Sequence, residues 1–150
     1  MKRNLIYYTI VFSMVVFGLA LSSCSKDEGP SGELRKVRYE AIGNIGVSTE
    51  FQFTPTMEKP GYQDFEYDEY TEVSTLPWQK EVFHHPTLEG GFSTTIEDAI
   101  PGSHITFKIY VNDELWGEHT AVVGPEGYVH LFMNYFKDGT VEKGGPTYDW

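Results

Sequence analysis

From Tyr62 to Tyr70 the chain reads Tyr-Gln-Asp-Phe-Glu-Tyr-Asp-Glu-Tyr, and the carboxylates of Asp64, Glu66 and Asp68 fall on alternate residues. In an extended segment they would share one face, about 7 Å apart. Oxygen donors so placed are those a hard cation such as calcium takes. The EF-hand pattern fails, because Glu69 stands where the turn glycine belongs. The run from Asp64 to Glu72 therefore reads first as a solvated edge strand whose charges block edge-to-edge association. Tyr62, Tyr67, Tyr70, Trp78 and Trp116 offer a second chemistry. Sugar rings stack on aromatic faces through their C–H groups, and nearby carboxylates accept hydroxyl hydrogen bonds. Tyr62, Tyr67, Tyr70 and Trp116 are thus the candidate ligand-binding residues for a glycan. Trp78 fits better as filling between two sheets, and Trp116 has the same alternative.

Histidines offer a third chemistry. His84 and His85 precede Pro86 in a turn, while His104, His119 and His130 fall at or within strands. No HxH or HxxxH spacing joins them, so scattered structural histidines are the simpler reading and no metal site is expected. No GxSxG elbow, HExxH helix or P-loop occurs. Paired carboxylates such as Glu66 and Asp68 do acid–base work in some hydrolases, but nothing distinguishes these two from solvent-facing acids. The expectation is a protein without catalysis or cofactor.

Charge narrows the partners. The 150 residues carry 11 Lys+Arg against 22 Asp+Glu, a net charge of −11. Setting aside residues 1–24, with Lys2, Arg3 and no acid, leaves nine against 22, or −13. Such a surface repels phosphate backbones, so no nucleic-acid partner is expected. It also has no basic patch for anionic head groups. A single cysteine, Cys24, excludes an internal disulfide, a CxxC redox pair and a cysteine-rich zinc site.

That cysteine has a context. Lys2 and Arg3 precede a mostly apolar run, Leu5 to Ala20, which is short for a membrane span of roughly 20 residues. Leu21-Ser22-Ser23-Cys24 follows and resembles the lipobox of bacterial lipoproteins. The resemblance implies a signal peptide over residues 1–23, a diacylglycerol on the Cys24 thiol, and an acyl chain such as palmitate on the new amine. An uncleaved signal anchor is the alternative and would leave Cys24 a free thiol. Each buried methylene contributes about 0.8 kcal/mol, so two or three chains anchor a protein stably. Ser25-Lys26-Asp27-Glu28 resembles an acidic export signal of Gram-negative lipoproteins. The expected address is the outer membrane, lipid-anchored, at its periplasmic face or on the cell surface.

Residues 24–33 read as the acylated cysteine and a flexible Gly/Pro/Ser linker, roughly 30 Å long if extended. From Leu34 the period is two. Val37, Tyr39 and Ala41 form one alternating set, and Val47, Thr49, Phe51 and Phe53 another. A poorer strand spans Phe65 to Val73. Further sets start at Trp78, Phe92 and Ile105, and Asn112-Asp113-Glu114 supplies a hairpin turn into Leu115–Val123. Tyr128 to Phe136 closes the series. Gly- and Pro-containing turns separate these runs, and no amphipathic helix is evident. The expected fold is all-β: an immunoglobulin-like antiparallel β-sandwich of seven to eight strands over residues 34–136, then a flexible tail, 137–150.

Val37-Arg38-Tyr39-Glu40 with Gly43, then Leu76-Pro77-Trp78, Ile105 to Val111, and Asn112-Asp113 before Leu115 are similar in order and spacing to the extracytoplasmic domain of the MmpS (mycobacterial membrane protein, small) family. The resemblance covers roughly Val37 to Val123. It implies an immunoglobulin-like sandwich and an accessory role beside a lipid-exporting transporter. This chain departs from the family in its lipobox and in the acidic insertion at residues 62–72. Two contact functions follow as expectations: an envelope accessory module with a protein partner, or a surface glycan-binding module.

Overall fold

A computed structural model describes residues 32–60 and 70–145. Nine strands run through them: β1 (Arg35–Gly43), β2 (Thr49–Phe53), β3 (Thr71–Ser74), β4 (Trp78–His84), β5 (Gly90–Ile96), β6 (His104–Val111), β7 (Glu114–Val122), β8 (Val129–Tyr135) and β9 (Val141–Gly144). They form a four-stranded sheet, ordered β4-β1-β6-β7, and a five-stranded sheet, ordered β3-β2-β5-β8-β9. All the strand pairs are antiparallel. The expected all-β antiparallel sandwich is the fold observed, with nine strands rather than seven or eight.

Alternation explains why these segments become strands. Side chains on successive residues point to opposite faces, so an apolar residue at every second position makes one buried face. Val37, Tyr39 and Ala41 of β1 are buried between half-exposed neighbours. Phe51 and Phe53 of β2, Ile105 to Val111 of β6, and Val129, Leu131, Met133 and Tyr135 of β8 repeat the pattern. The two inner faces meet in a single aromatic core. Phe51 and Trp78 stack at 4.3 Å, and Phe92 and Phe107 at 4.0 Å. Trp78 is only 4% exposed, in keeping with its reading as filling between sheets.

Two local details set the surface. Asn112 and Asp113, both at positive φ, make the two-residue turn from β6 to β7 that their side chains suit. The turn is tied to β1, since Asn112 Oδ1 accepts the Lys36 amide at 2.9 Å and Asp113 pairs with Lys36 Nζ at 2.6 Å. Just past it, Ile109 pairs with Gly117 but Tyr110 with Leu115, leaving Trp116 as an extra residue. Such a bulge re-aims a side chain.

The chain departs from expectation at two places. The poor strand expected from Phe65 to Val73 is the shorter β3, while residues 61–69 lie outside the described residues. The flexible tail expected from Lys137 instead turns at Asp138 and Gly139 and returns as β9, pairing Tyr135 with Val141 and Phe132 with Gly144. Asp138 Oδ1 accepts both the amide and the hydroxyl of Thr140, which stabilises that turn.

If the aromatic core sets the sheet spacing, truncating its fully buried member Phe107 should be costly. Phe107→Ala should lose about 3–5 kcal/mol in urea unfolding. Val73→Ser, at a residue 68% exposed on β3, should stay within about 0.5 kcal/mol of wild type.

Candidate functional site

The two outer faces of the sandwich differ in kind. On the four-stranded sheet the basic side chains of the central strands are occupied by ion pairs and ring contacts, while Gln79 and Glu81 of β4 stand exposed at its edge. The Arg38 guanidinium lies 3.9 Å from the Tyr110 ring centroid and pairs with Glu40 at 2.8 Å. Lys108 reaches Glu40 at 3.9 Å and Glu118 at 3.5 Å, and Thr106 and Thr120 share a hydrogen bond at 2.8 Å. Partly exposed pairs of this kind each contribute little, about 0–1 kcal/mol, but together they leave few groups free.

The outer face of the five-stranded sheet is built differently. Its central strand, β5, presents small residues, Ser93 and Thr95. Register places Gln52 and Glu50 of β2 on one side of them and Phe132 and His130 of β8 on the other. Small side chains between taller rows make a trough. It is a shallow depression, open to solvent and lined by Glu50, Gln52, Ser93, Thr94, Thr95 and His130. Asn134 closes one end by lying over Gly91, where an added Cβ would clash with its Oδ1. Phe132 similarly lies against Gly144, the outermost strand's one position with room for the ring. His130 Nδ1 and Thr95 Oγ1 are 3.0 Å apart. Among the described residues, the side chains of Glu50, Gln52 and Ser93 make no hydrogen bond or ion pair.

The floor of the trough is held from within. Thr94 Oγ1 donates to the Glu50 carbonyl at 2.7 Å. Its proton is thereby used, so the 2.8 Å contact with Thr49 must be donated by Thr49. These buried bonds lock β2 to β5 directly beneath the exposed groups.

A third polar group sits inside one end of the sandwich. His84 is fully buried, with Nε2 2.7 Å from the Pro55 carbonyl and Nδ1 hydrogen-bonded to the Tyr135 hydroxyl. A carbonyl only accepts, so Nε2 carries the proton and Nδ1 accepts from Tyr135. Tyr135 meets Trp116 edge-on, and the Arg35 guanidinium lies 5.5 Å from the Trp116 ring while donating to the Lys137 carbonyl at 3.3 Å. Both imidazole nitrogens are thus committed to structural bonds, and the arrangement plugs the end of the core. Burial pushes both tyrosine hydroxyls, Tyr39 and Tyr135, well above the usual phenol range.

The sequence-predicted residues are dispersed. Cys24, Tyr62 and Tyr67 lie outside the described residues, as do Asp64, Glu66 and Asp68. Tyr70 immediately precedes β3 and packs partly against the core. Trp116 packs there too, but on β7, at the opposite edge of the sandwich. β3 and β7 are edge strands of different sheets. Tyr70 and Trp116 therefore do not form one platform, because the bulge turns Trp116 inward onto Tyr135. Glu72 is paired with Lys80 at 2.9 Å, and this bond draws its carboxyl below the usual range. Among the described residues no three His, Cys, Asp or Glu converge as metal ligands. Of the five histidines only His130 lines the trough. No family model matches this chain, and no curated protein matches it.

His84 makes stability depend on pH. Burial lowers its pKa from 6.5, against the opposing hydrogen bond to Pro55. The unfolded chain then binds more protons below about pH 6.5. The stabilisation is complete above that pH and lost as pH falls toward the folded value. His119 shifts in the same direction, so a variant is needed to isolate His84. His84→Gln should cost about 2 kcal/mol at pH 8 in urea unfolding, and its deficit relative to wild type should shrink at pH 5.5. A deficit equal at both pH values would assign the acid sensitivity elsewhere.

Proposed function

We propose that this chain is a lipid-anchored, non-catalytic binding module of the cell envelope. The observation that carries the reading is the contrast between two outer faces: one crossed at its centre by ion pairs, the other holding a trough with free polar groups. A fold that sets unpaired donors and acceptors, Glu50, Gln52 and Ser93, side by side over a fixed floor is suited to work by contact.

Cys24 supplies the anchor in this reading. Ten residues separate it from the first residue of β1, a reach of at most about 35 Å. The domain would work close to the outer membrane, at its periplasmic face or on the cell surface. The likeness to the MmpS family adds an envelope transporter as a partner class to seek.

Labelled palmitate should enter the wild-type protein and not Cys24→Ser, and the variant should leave the membrane fraction. Crosslinking in intact membranes should give a species larger than the protein alone. Recovery of the uncrosslinked chain only, with Cys24 unacylated, would overturn both halves of the proposal.

A further inference from the structure

Resting on the reading of the chain as a contact module, we infer that the trough along β5 binds a neutral oligosaccharide.

Shape comes first. The two rims, β2 and β8, stand two strand spacings apart, about 10 Å, which admits one sugar chain lying lengthwise. Ser93 and Thr95 keep the floor low, and Asn134 over Gly91 walls one end. The site lies on a central strand paired on both sides, so an incoming peptide has no free edge to extend. The residues that line the trough include no large apolar anchor of the sort a protein partner needs.

Chemistry comes second. Sugars present adjacent hydroxyls, each both donor and acceptor. Gln52 brings an amide that donates and accepts, Ser93 a hydroxyl that does both, and Glu50 a carboxylate that accepts. All three are without side-chain partners among the described residues. Register sets Gln52, Ser93 and Phe132 side by side across three strands. The Phe132 ring lies over Gly144 on β9, outside the trough's lining, and extends the binding face past β8 with a surface on which a pyranose could stack.

Charge decides between sugar classes. Glu50 lines the trough, Glu142 pairs with Asn134 at the adjoining strand, and no lysine or arginine lies on this face among the described residues. Acidic polysaccharides are repelled and neutral ones are not. The bonds from Thr94 fix the floor before a ligand arrives, so little ordering opposes binding.

The test is affinity electrophoresis of the full-length protein in mild detergent, through gels containing dextran, mannan, xylan or a β-glucan, with alginate as the anionic comparison. At least one neutral polysaccharide should retard the protein and alginate should not. Ser93→Lys, which fills the floor, should abolish retardation, and Gln52→Ala and Phe132→Ala should each weaken it about tenfold. Leu115→Ser, at a residue 48% exposed on β7, should leave it unchanged. Thermal melts identify any variant that fails to fold, and the exposed Gln52→Ala serves if Phe132→Ala is lost. Retardation by no neutral polysaccharide, by alginate alone, or undiminished in Ser93→Lys overturns the inference. None of these outcomes touches the contact-module reading, which stands or falls on crosslinking in membranes.

Discussion

Stacking of Phe51 on Trp78 and of Phe92 on Phe107 is the contact on which the rest of the molecule depends. Each pair joins one residue from each sheet, so the rings fix the distance between layers as well as filling it. Trp78 also meets Phe92 at 5.9 Å, which links the two pairs into one cluster. With no disulfide available to a chain of one cysteine, burial of this cluster and its aliphatic neighbours must offset the entropy of ordering nine strands.

A core filled this way has little room for polar chemistry. The exception, His84 with Tyr135, sits at one end of the sandwich rather than in its centre, where the Pro55 carbonyl can accept from the ring. A buried donor or acceptor without its partner costs about 1–3 kcal/mol, so the bonds of His84 are a condition of closing that end. Trp116 completes the closure only because the bulge on β7 turns it inward. Functional groups are thereby pushed to the outer faces, and those two faces have diverged.

The strands were legible in the sequence because burial writes itself as alternation. Val37, Tyr39 and Ala41, or Ile105, Phe107 and Ile109, name their inner face directly. β9 was not legible, since Val141 is the one apolar residue in Val141-Glu142-Lys143-Gly144 and no period shows. It exists through its register with β8, a tertiary fact. The trough was hidden for a related reason. Gln52, Ser93 and Phe132 lie at outward positions of three separate strands, where any polar residue is expected. Only the pairing of β2, β5 and β8 brings them together. Trp116 misled through the same gap, because a bulge of one residue reverses the face that alternation assigns.

The contrast between the outer faces has an electrostatic logic. Arg38 and Lys108 are placed where Glu40 and Glu118 can neutralise them, so the four-stranded sheet carries its basic residues in pairs. The outer face of the five-stranded sheet carries none of them among the described residues, because Lys143 of β9 turns to the Glu118 carbonyl, and the carboxylates of Glu50 and Glu142 stay unpaired on that face. A chain with twice as many acids as bases repels anionic ligands. A neutral ligand on such a face would be held by hydrogen bonding and stacking rather than ion pairing. Those interactions are short-ranged and directional, and they demand a surface that does not move. The central strands of a packed sheet, locked from beneath by Thr49 and Thr94, meet that demand better than any loop.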